Sequence, residues 1–301
     1  HCRGPRTNSA GHEVSAYPMC ARWQVRNPAG RASRVSRRLG LANQRGRGLP
    51  FAVNAASVAR RASLARMPHP PLTLAVAQPP CVAYDVAANA LAHADAIRAA
   101  EARVVVFPEM SITGYELDAP VVPVEDERLA PVVAACAETK TLALVGAPVA
   151  GDAGRRCIGI LAVDGTGVRV AYRKMWLGGA EPRHFAPGAE PAVVEVAGWR
   201  LGLAVCRDTG VPRHAAVTAA LGIDAYVAGA LDRPEEIGVQ DERARRVTAD
   251  HGVWVAIASF AGSTGGGYDR AAGRSRIWDP RGRVVAEAGP EPGAVVRASL
   301  G

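Results

Sequence analysis

ArgValValValPheProGluMetSerIleThrGlyTyr, residues 103 to 115, opens on a short apolar run and breaks at Pro108 and Glu109 into a turn-rich stretch. An uninterrupted run of this kind predicts a strand buried on both faces, because a strand with one wet face alternates apolar and polar residues instead. A strand covered on both sides needs further layers of structure, which places the chain among sheet-and-helix proteins. Where the run stops, Glu109 is delivered to the rim of the sheet, and rims of such sheets are where ligands bind.

Outward from that strand, LeuThrLeuAlaValAlaGln (72 to 78) predicts a strand, and the Ala-rich stretch 85 to 102 a helix with Asp85 near its start. Downstream we expect a helix over 125 to 139 and a strand over 141 to 147. Two strands, 157 to 164 and 168 to 173, then form a hairpin around AspGlyThrGly. A second strand pair surrounds Ala197 and Gly198, and its later member, TrpArgLeuGlyLeuAlaVal (199 to 205), runs into Cys206. A helix to about Leu221, a strand at 224 to 229, a charged helix at 235 to 250 and a strand at 253 to 259 follow. GlySerThrGlyGlyGly (262 to 267) lacks the lysine and the glycine spacing of a phosphate loop, so it is read as a flexible loop. A last hairpin flanks AspProArgGly (279 to 282). Helices alternate with strands early and hairpins punctuate the second half, which predicts an α+β fold with mixed sheets. No interior linker or repeat interrupts 67 to 301, read as one domain.

The 301 residues are 49% apolar and 21% charged, the composition of a globular chain long enough to bury a large core. The net charge of +8 is unevenly placed. Residues 1 to 66 hold 13 Arg against the single acid Glu13, whereas from Met67 the balance is 23 basic to 27 acidic residues. Any nucleic-acid binding is therefore confined to the Arg-rich segment 1 to 66, read as a disordered leader. A transit-type presequence, a basic arm and sequence outside the working protein are its three readings. No stretch reaches the roughly 18 apolar residues a membrane span requires. The six cysteines, at 2, 20, 81, 136, 157 and 206, form no Cys-x-x-Cys pair and no zinc-ligand spacing, which fits a reducing, cytoplasmic setting without a metal. Cys81, Cys136 and Cys157 are read as small buried hydrophobes.

Three apolar strands end abruptly at reactive residues: 103 to 107 before Glu109, 168 to 173 at Lys174, and 199 to 205 at Cys206. A strand-end Glu or Lys is ordinarily a solvated cap, and a buried Cys ordinarily inert. Together the three are complete for acyl transfer through a thioester. A cysteine near a base and a cation is a nucleophile with an accessible thiolate. A carboxylate whose pKa is raised by burial can take its proton and later activate water. An ammonium, beside the backbone N–H of Arg207, can stabilise an oxyanion. His184, His214 and His251 are the alternative bases, but none ends an apolar strand, and His214 is expected on the surface of the helix after Cys206.

The blocks PheProGluMetSerIleThrGlyTyr (107 to 115), TyrArgLysMetTrpLeu (172 to 177) with Glu181 and PheAlaProGly (185 to 188), and LeuGlyLeuAlaValCysArgAsp (201 to 208) resemble the signatures of the nitrilase superfamily of carbon-nitrogen hydrolases. AlaGlyArgSerArgIleTrpAspProArgGlyArgVal (272 to 284) resembles the same family's late hairpin. The resemblance implies a four-layer α-β-β-α sandwich with Glu109 as general base, Lys174 as oxyanion stabiliser, Cys206 as nucleophile and Glu181 as a supporting second glutamate. It implies no metal and no organic cofactor, a small-molecule amide as partner, and a homodimer or higher homo-oligomer. Cys206-Arg207-Asp208 resembles the amidase branch, with hydrolysis of N-carbamoyl-amines or nitriles and an idle binding module as alternatives. Tyr115, Trp176 and Arg207 are the candidate substrate-binding residues. Three departures bear on oligomeric order and substrate. Arg213 follows Pro212 where an acid is frequent, Asp250 stands where Asn is common, and the chain stops at AlaSerLeuGly, short of the tail that contacts a partner subunit in relatives.

Overall fold

A computed structural model describes residues 70–301, so the reading of 1 to 66 lies outside the described residues. The first half runs β1 (Leu72–Gln78), α1 (Val86–Ala100), β2 (Val104–Val106), α2 (Ala130–Thr139), β3 (Leu142–Ala150), β4 (Arg156–Asp164) and β5 (Gly167–Arg173). The second half runs β6 (Val193–Val196), β7 (Trp199–Val205), α3 (Pro212–Ala219), β8 (Ala225–Ala230), α4 (Ile237–His251) and β9 (Trp254–Ser259). It continues through β10 (Ala261–Thr264), β11 (Tyr268–Ala272), β12 (Arg276–Trp278), β13 (Val284–Glu287) and β14 (Ala294–Leu300). Two six-stranded sheets result, in the orders β14-β1-β2-β3-β4-β5 and β13-β12-β9-β8-β7-β6. Each has a parallel triplet at its centre, β1-β2-β3 and β7-β8-β9, with antiparallel strands outside it. A helix makes every crossover within a triplet, because parallel neighbours cannot be joined by a tight turn.

Strand alternation sorts the side chains into layers. In β1, Leu72, Leu74 and Val76 share one core with Leu201, Leu203 and Val205 of β7, so these faces of the two sheets pack on each other. The opposite face of the first sheet, with Ala75, Ala77, Val105 and Phe107, packs on α1 and α2 through Ala90, Ala94, Ile97 and Val132. Tyr226, Ala228, Val255 and Ile257 do the same with Ala215, Ala244 and Val247 of α3 and α4. The architecture is the expected α-β-β-α sandwich. Small residues dominate the sheet-to-helix contact in β1, which lets α1 approach closely; large aliphatic ones fill the space between the sheets. Among the described residues no helix is long and apolar enough to cross a membrane.

Four local expectations are corrected. The helix expected over 125 to 139 is a 3-10 turn, Glu127–Leu129, followed by α2, because Pro131 in the first turn of α2 has no N–H to carry an α-helical ladder back across that turn. Pro234 similarly confines the next charged segment to a 3-10 turn at Pro234–Glu236 before α4. The glycine-rich loop is the tip of the β10-β11 hairpin, held by Thr264 Oγ1, which accepts a 2.8 Å hydrogen bond from the Tyr115 N–H. Finally, β14 went unread: Leu300 to Ala294 pairs antiparallel along the whole of β1, an edge position whose exposed Arg297 and Ser299 blur its apolar pattern.

Candidate active site

Glu109, Lys174 and Cys206 stand just beyond β2, β5 and β7, and all three border one cavity of about 300 Å³. Glu109 and Lys174 are each 1% exposed. The backbone around Glu109 runs through a slot between the sheets. A Cβ on Gly229 of β8 would lie 2.6 Å from the Phe107 carbonyl oxygen and 2.9 Å from the Glu109 nitrogen, and one on Gly146 of β3 would collide with Pro108 and Met110. Only residues without a side chain fit there. Met110 closes the turn with φ 50°.

Lys174 Nζ donates to Glu109 Oε1 at 2.7 Å and to both oxygens of Glu181, at 2.7 and 2.9 Å. Glu181 is held in turn by the Tyr115 hydroxyl, 2.5 Å from Oε1, and by the Gly178 N–H, 2.7 Å from Oε2. Burial opposes the charge on Lys174, but Glu109, the cysteine and Glu181 outweigh it and hold its pKa above the ordinary lysine value. Burial is also the largest influence on Glu109. It exceeds the counteracting pull of Lys174 and, with the repulsion of Glu181, pushes the carboxyl up to about 7. The Cys206 thiol is driven well above its usual pKa, first by burial and then by the charges of Glu109 and Asp232, with Lys174 opposing. Against the accessible thiolate expected from a neighbouring base and cation, burial and the two carboxylates favour the protonated thiol.

Cys206 has φ 40°, a left-handed conformation that a non-glycine residue holds only when its surroundings impose it. Asp208 imposes it. Its Oδ2 accepts from the Val205 N–H at 2.9 Å and from the Tyr172 hydroxyl at 2.8 Å, and its Oδ1 from the Trp176 N–H at 2.9 Å. One buried carboxylate thus fastens the turn carrying Cys206 to the segments on both sides of Lys174. Sequence reasoning took Asp208 only as a branch marker; its signal was its place two residues past a strand-end cysteine, where a carboxylate can cap a tight turn. Cys206 Sγ lies 3.5 Å from the carbonyl oxygen of Leu231, just beyond β8.

The remaining expected residues divide. Tyr115 and Arg207 border the cavity. Trp176 does not: with its N–H tied to Asp208, its ring packs edge-on against His214, 5.5 Å between centroids. His214, expected on the surface, is fully buried, because its helix turns this side chain toward the sheet between Tyr172 and Tyr226. Leu231, Asp232, Arg243 and Tyr268 also border the cavity and were not singled out, since they come from segments outside the strand-end pattern. No group of three or more His, Cys, Asp or Glu side chains placed to hold a metal is found among the described residues.

The chain is similar to known proteins in sequence and in fold. The family model for carbon-nitrogen hydrolases matches residues 73–300. A protein of Pseudomonas protegens described as "Hydrolase in pqqF 5'region" is 28% identical over 234 residues, covering 75% of this chain and 81% of that protein. The structure of Nit3 from Saccharomyces cerevisiae, a member of branch 10 of the nitrilase superfamily, superposes with a TM-score of 0.68 at 22% identity, covering 76% of this chain and 90% of that one. A cysteine-to-alanine mutant of the amidase from Nesterenkonia sp. AN1, in complex with butyramide, has a TM-score of 0.68 at 25% identity with the same coverage. The family match over 73–300, on the sandwich described above, establishes that this chain belongs to the carbon-nitrogen hydrolases.

Proposed function

We propose that this enzyme hydrolyses a small carboxamide to its acid and ammonia through a thioester on Cys206. The observation that carries the reading is the Lys174 ammonium bridging Glu109 and Glu181 at the edge of the cavity into which Cys206 projects. As Cys206 Sγ attacks the amide carbon, its proton passes to Glu109, whose pKa near 7 suits it to accept and return a proton at neutral pH. Once Glu109 is protonated its hold on Lys174 Nζ weakens, and that N–H turns to the new oxyanion together with the N–H of Arg207. Glu109 then gives its proton to the leaving nitrogen, the C–N bond breaks, and ammonia departs. Water adds to the thioester carbon while Glu109 takes its proton, and collapse releases the acid and restores the thiol. Glu181, fixed by Tyr115 and Gly178, holds Lys174 in place throughout.

Support for an amide comes from the neighbouring amidase fold and from Asp208, two residues beyond the nucleophile. The test is ammonia release by the full chain from amides, N-carbamoyl-amines and nitriles, beside Cys206→Ala. Release from amides that is lost in the variant is the expected result. Release confined to nitriles or carbamoyl compounds, or surviving the substitution, overturns the reading.

A further inference from the structure

Asp232 is 6% exposed, borders the same cavity as Cys206 and has no part in the chemistry above. Its backbone follows Leu231, whose carbonyl oxygen is 3.5 Å from Cys206 Sγ, so its carboxylate stands about one residue's reach from the nucleophile. Oδ2 accepts a 2.7 Å hydrogen bond from Gln240 Nε2 of α4; Oδ1 has no hydrogen-bond partner among the described residues. Gln240 Oε1 is itself buried without a partner. One carboxylate oxygen at the side of the cavity therefore lacks a donor, and an unmatched acceptor there is costly.

One turn further along α4, three residues from Gln240 and on the same helix face, Arg243 also borders the cavity. Its guanidinium lies across Gly210, at the end of the turn that begins with Cys206: a Cβ there would be 3.1 Å from Arg243 Nε. Among the described residues Arg243 makes no hydrogen bond and no ion pair. Of the other charged groups nearby, Arg207 borders the cavity from the far side, against Gly178, while two more are occupied. Glu236 accepts the Arg233 N–H, and Arg233 sits 4.5 Å from the Tyr268 ring centroid while donating to the Gly267 carbonyl.

A carboxylate short of a donor and a guanidinium short of an acceptor, presented by neighbouring residues, ask for both charges on one small group. We propose that the substrate is a zwitterionic amide, an amino acid bearing its carboxamide on the side chain, with its ammonium on Asp232 and its carboxylate on Arg243. The proposal rests on the amide-hydrolysis reading and deepens it. An ammonium brings three donors, enough for Asp232 Oδ1 and its surroundings, and the planar guanidinium fork matches a carboxylate.

The test uses four amides of matched chain: L-glutamine with both charges, glutaramic acid with the carboxylate alone, 4-aminobutanamide with the ammonium alone, and pentanamide with neither. The full chain should show kcat/KM for glutamine at least about tenfold above that for pentanamide. In Asp232→Asn the preference for glutamine over glutaramic acid should fall about tenfold or more. In Arg243→Met the preference for glutamine over 4-aminobutanamide should fall likewise. These ratios do not depend on the fraction of protein folded. Calorimetric binding of the same compounds to Cys206→Ala reads recognition without turnover. Equal handling of glutamine and pentanamide, or ratios unmoved by both substitutions, overturns the proposal while leaving amide hydrolysis standing. Binding that prefers glutamine through Asp232, in a protein that hydrolyses no amide, sinks the hydrolysis reading and keeps the charge recognition.

Discussion

Two clusters of titratable side chains are buried around the segments that follow β5 and β7, and they have opposite characters. Glu109, Lys174 and Glu181 carry charge and border the cavity with Cys206. Asp208, Tyr172, His214 and Tyr226 are equally buried, yet none of them borders that cavity. The second cluster is internally complete. Tyr172 donates to Asp208, the Tyr226 hydroxyl donates to His214 Nδ1 at 2.7 Å, and His214 Nε2 donates to the Tyr172 oxygen at 2.9 Å. Burial lowers the His214 pKa against the pull of Asp208, and the neutral imidazole so favoured, with its proton on Nε2, suits these contacts. In the first cluster one ammonium serves two carboxylates, and burial, with the repulsion of Glu181, raises Glu109 against the pull of Lys174. A buried histidine is not a sign of catalysis; a buried group left in proton competition beside a nucleophile is.

The sharpest break between the clusters should come from Cys206→Ala, which we expect to lower ammonia release at least about 10³-fold while leaving the thermal unfolding midpoint near that of the parent. Next is Lys174→Met. It strands two buried carboxylates without a cation and should cost about 3–5 kcal/mol in denaturant unfolding. Glu109→Gln, which leaves Lys174 paired with Glu181, should lose activity with much less loss of stability. Third, kcat/KM should fall as pH drops below about 7, roughly tenfold per unit at the acid end, because the base is the ionised form of a carboxyl whose pKa is raised to about 7. A profile flat down to pH 5 would take the base role from Glu109. The smallest effect is reserved for the second cluster. His214→Phe removes the acceptor of the Tyr226 hydroxyl and should cost about 1–3 kcal/mol of stability, with kcat changed only a few-fold. A loss matching that of Cys206→Ala would erase the distinction.

What the sequence disclosed follows from what governs each feature. Strands 72 to 78, 199 to 205 and 224 to 229 were legible because apolar runs depend on burial alone, and the abrupt ends of 103 to 107, 168 to 173 and 199 to 205 disclosed Glu109, Lys174 and Cys206. The sense of His214 was not legible: whether a helical histidine points out or in depends on which face of α3 the sheet receives, and α3 is short, with little apolar bias. Trp176 was misread because its direction is decided by a hydrogen bond to Asp208 from another segment. Asp232 and Arg243 were missed for a related reason. They meet only through the packing of α4 over the end of β8, a relation between residues near in space that no local pattern announces. Even the thiol was read too simply, since the neighbouring ammonium lowers its pKa less than burial and two carboxylates raise it.

The glycine slot around Glu109 bears on how such an enzyme could acquire new substrates. With bare backbone at Gly146 and Gly229 pressed against the chain on both sides of the base, the position of Glu109 has almost no freedom to drift. A methyl group at either site would displace the carboxylate before it altered anything a substrate could feel. Selection, natural or in the laboratory, is therefore steered away from that wall. The tolerant territory is α4, where Arg243 meets the cavity; the β10-β11 tip is not, since a Cβ on Gly266 would lie 2.6 Å from the ring of Tyr115, which holds Glu181. Libraries confined to that helix should yield changed preferences with the base held still as the fixed point around which the pocket evolves.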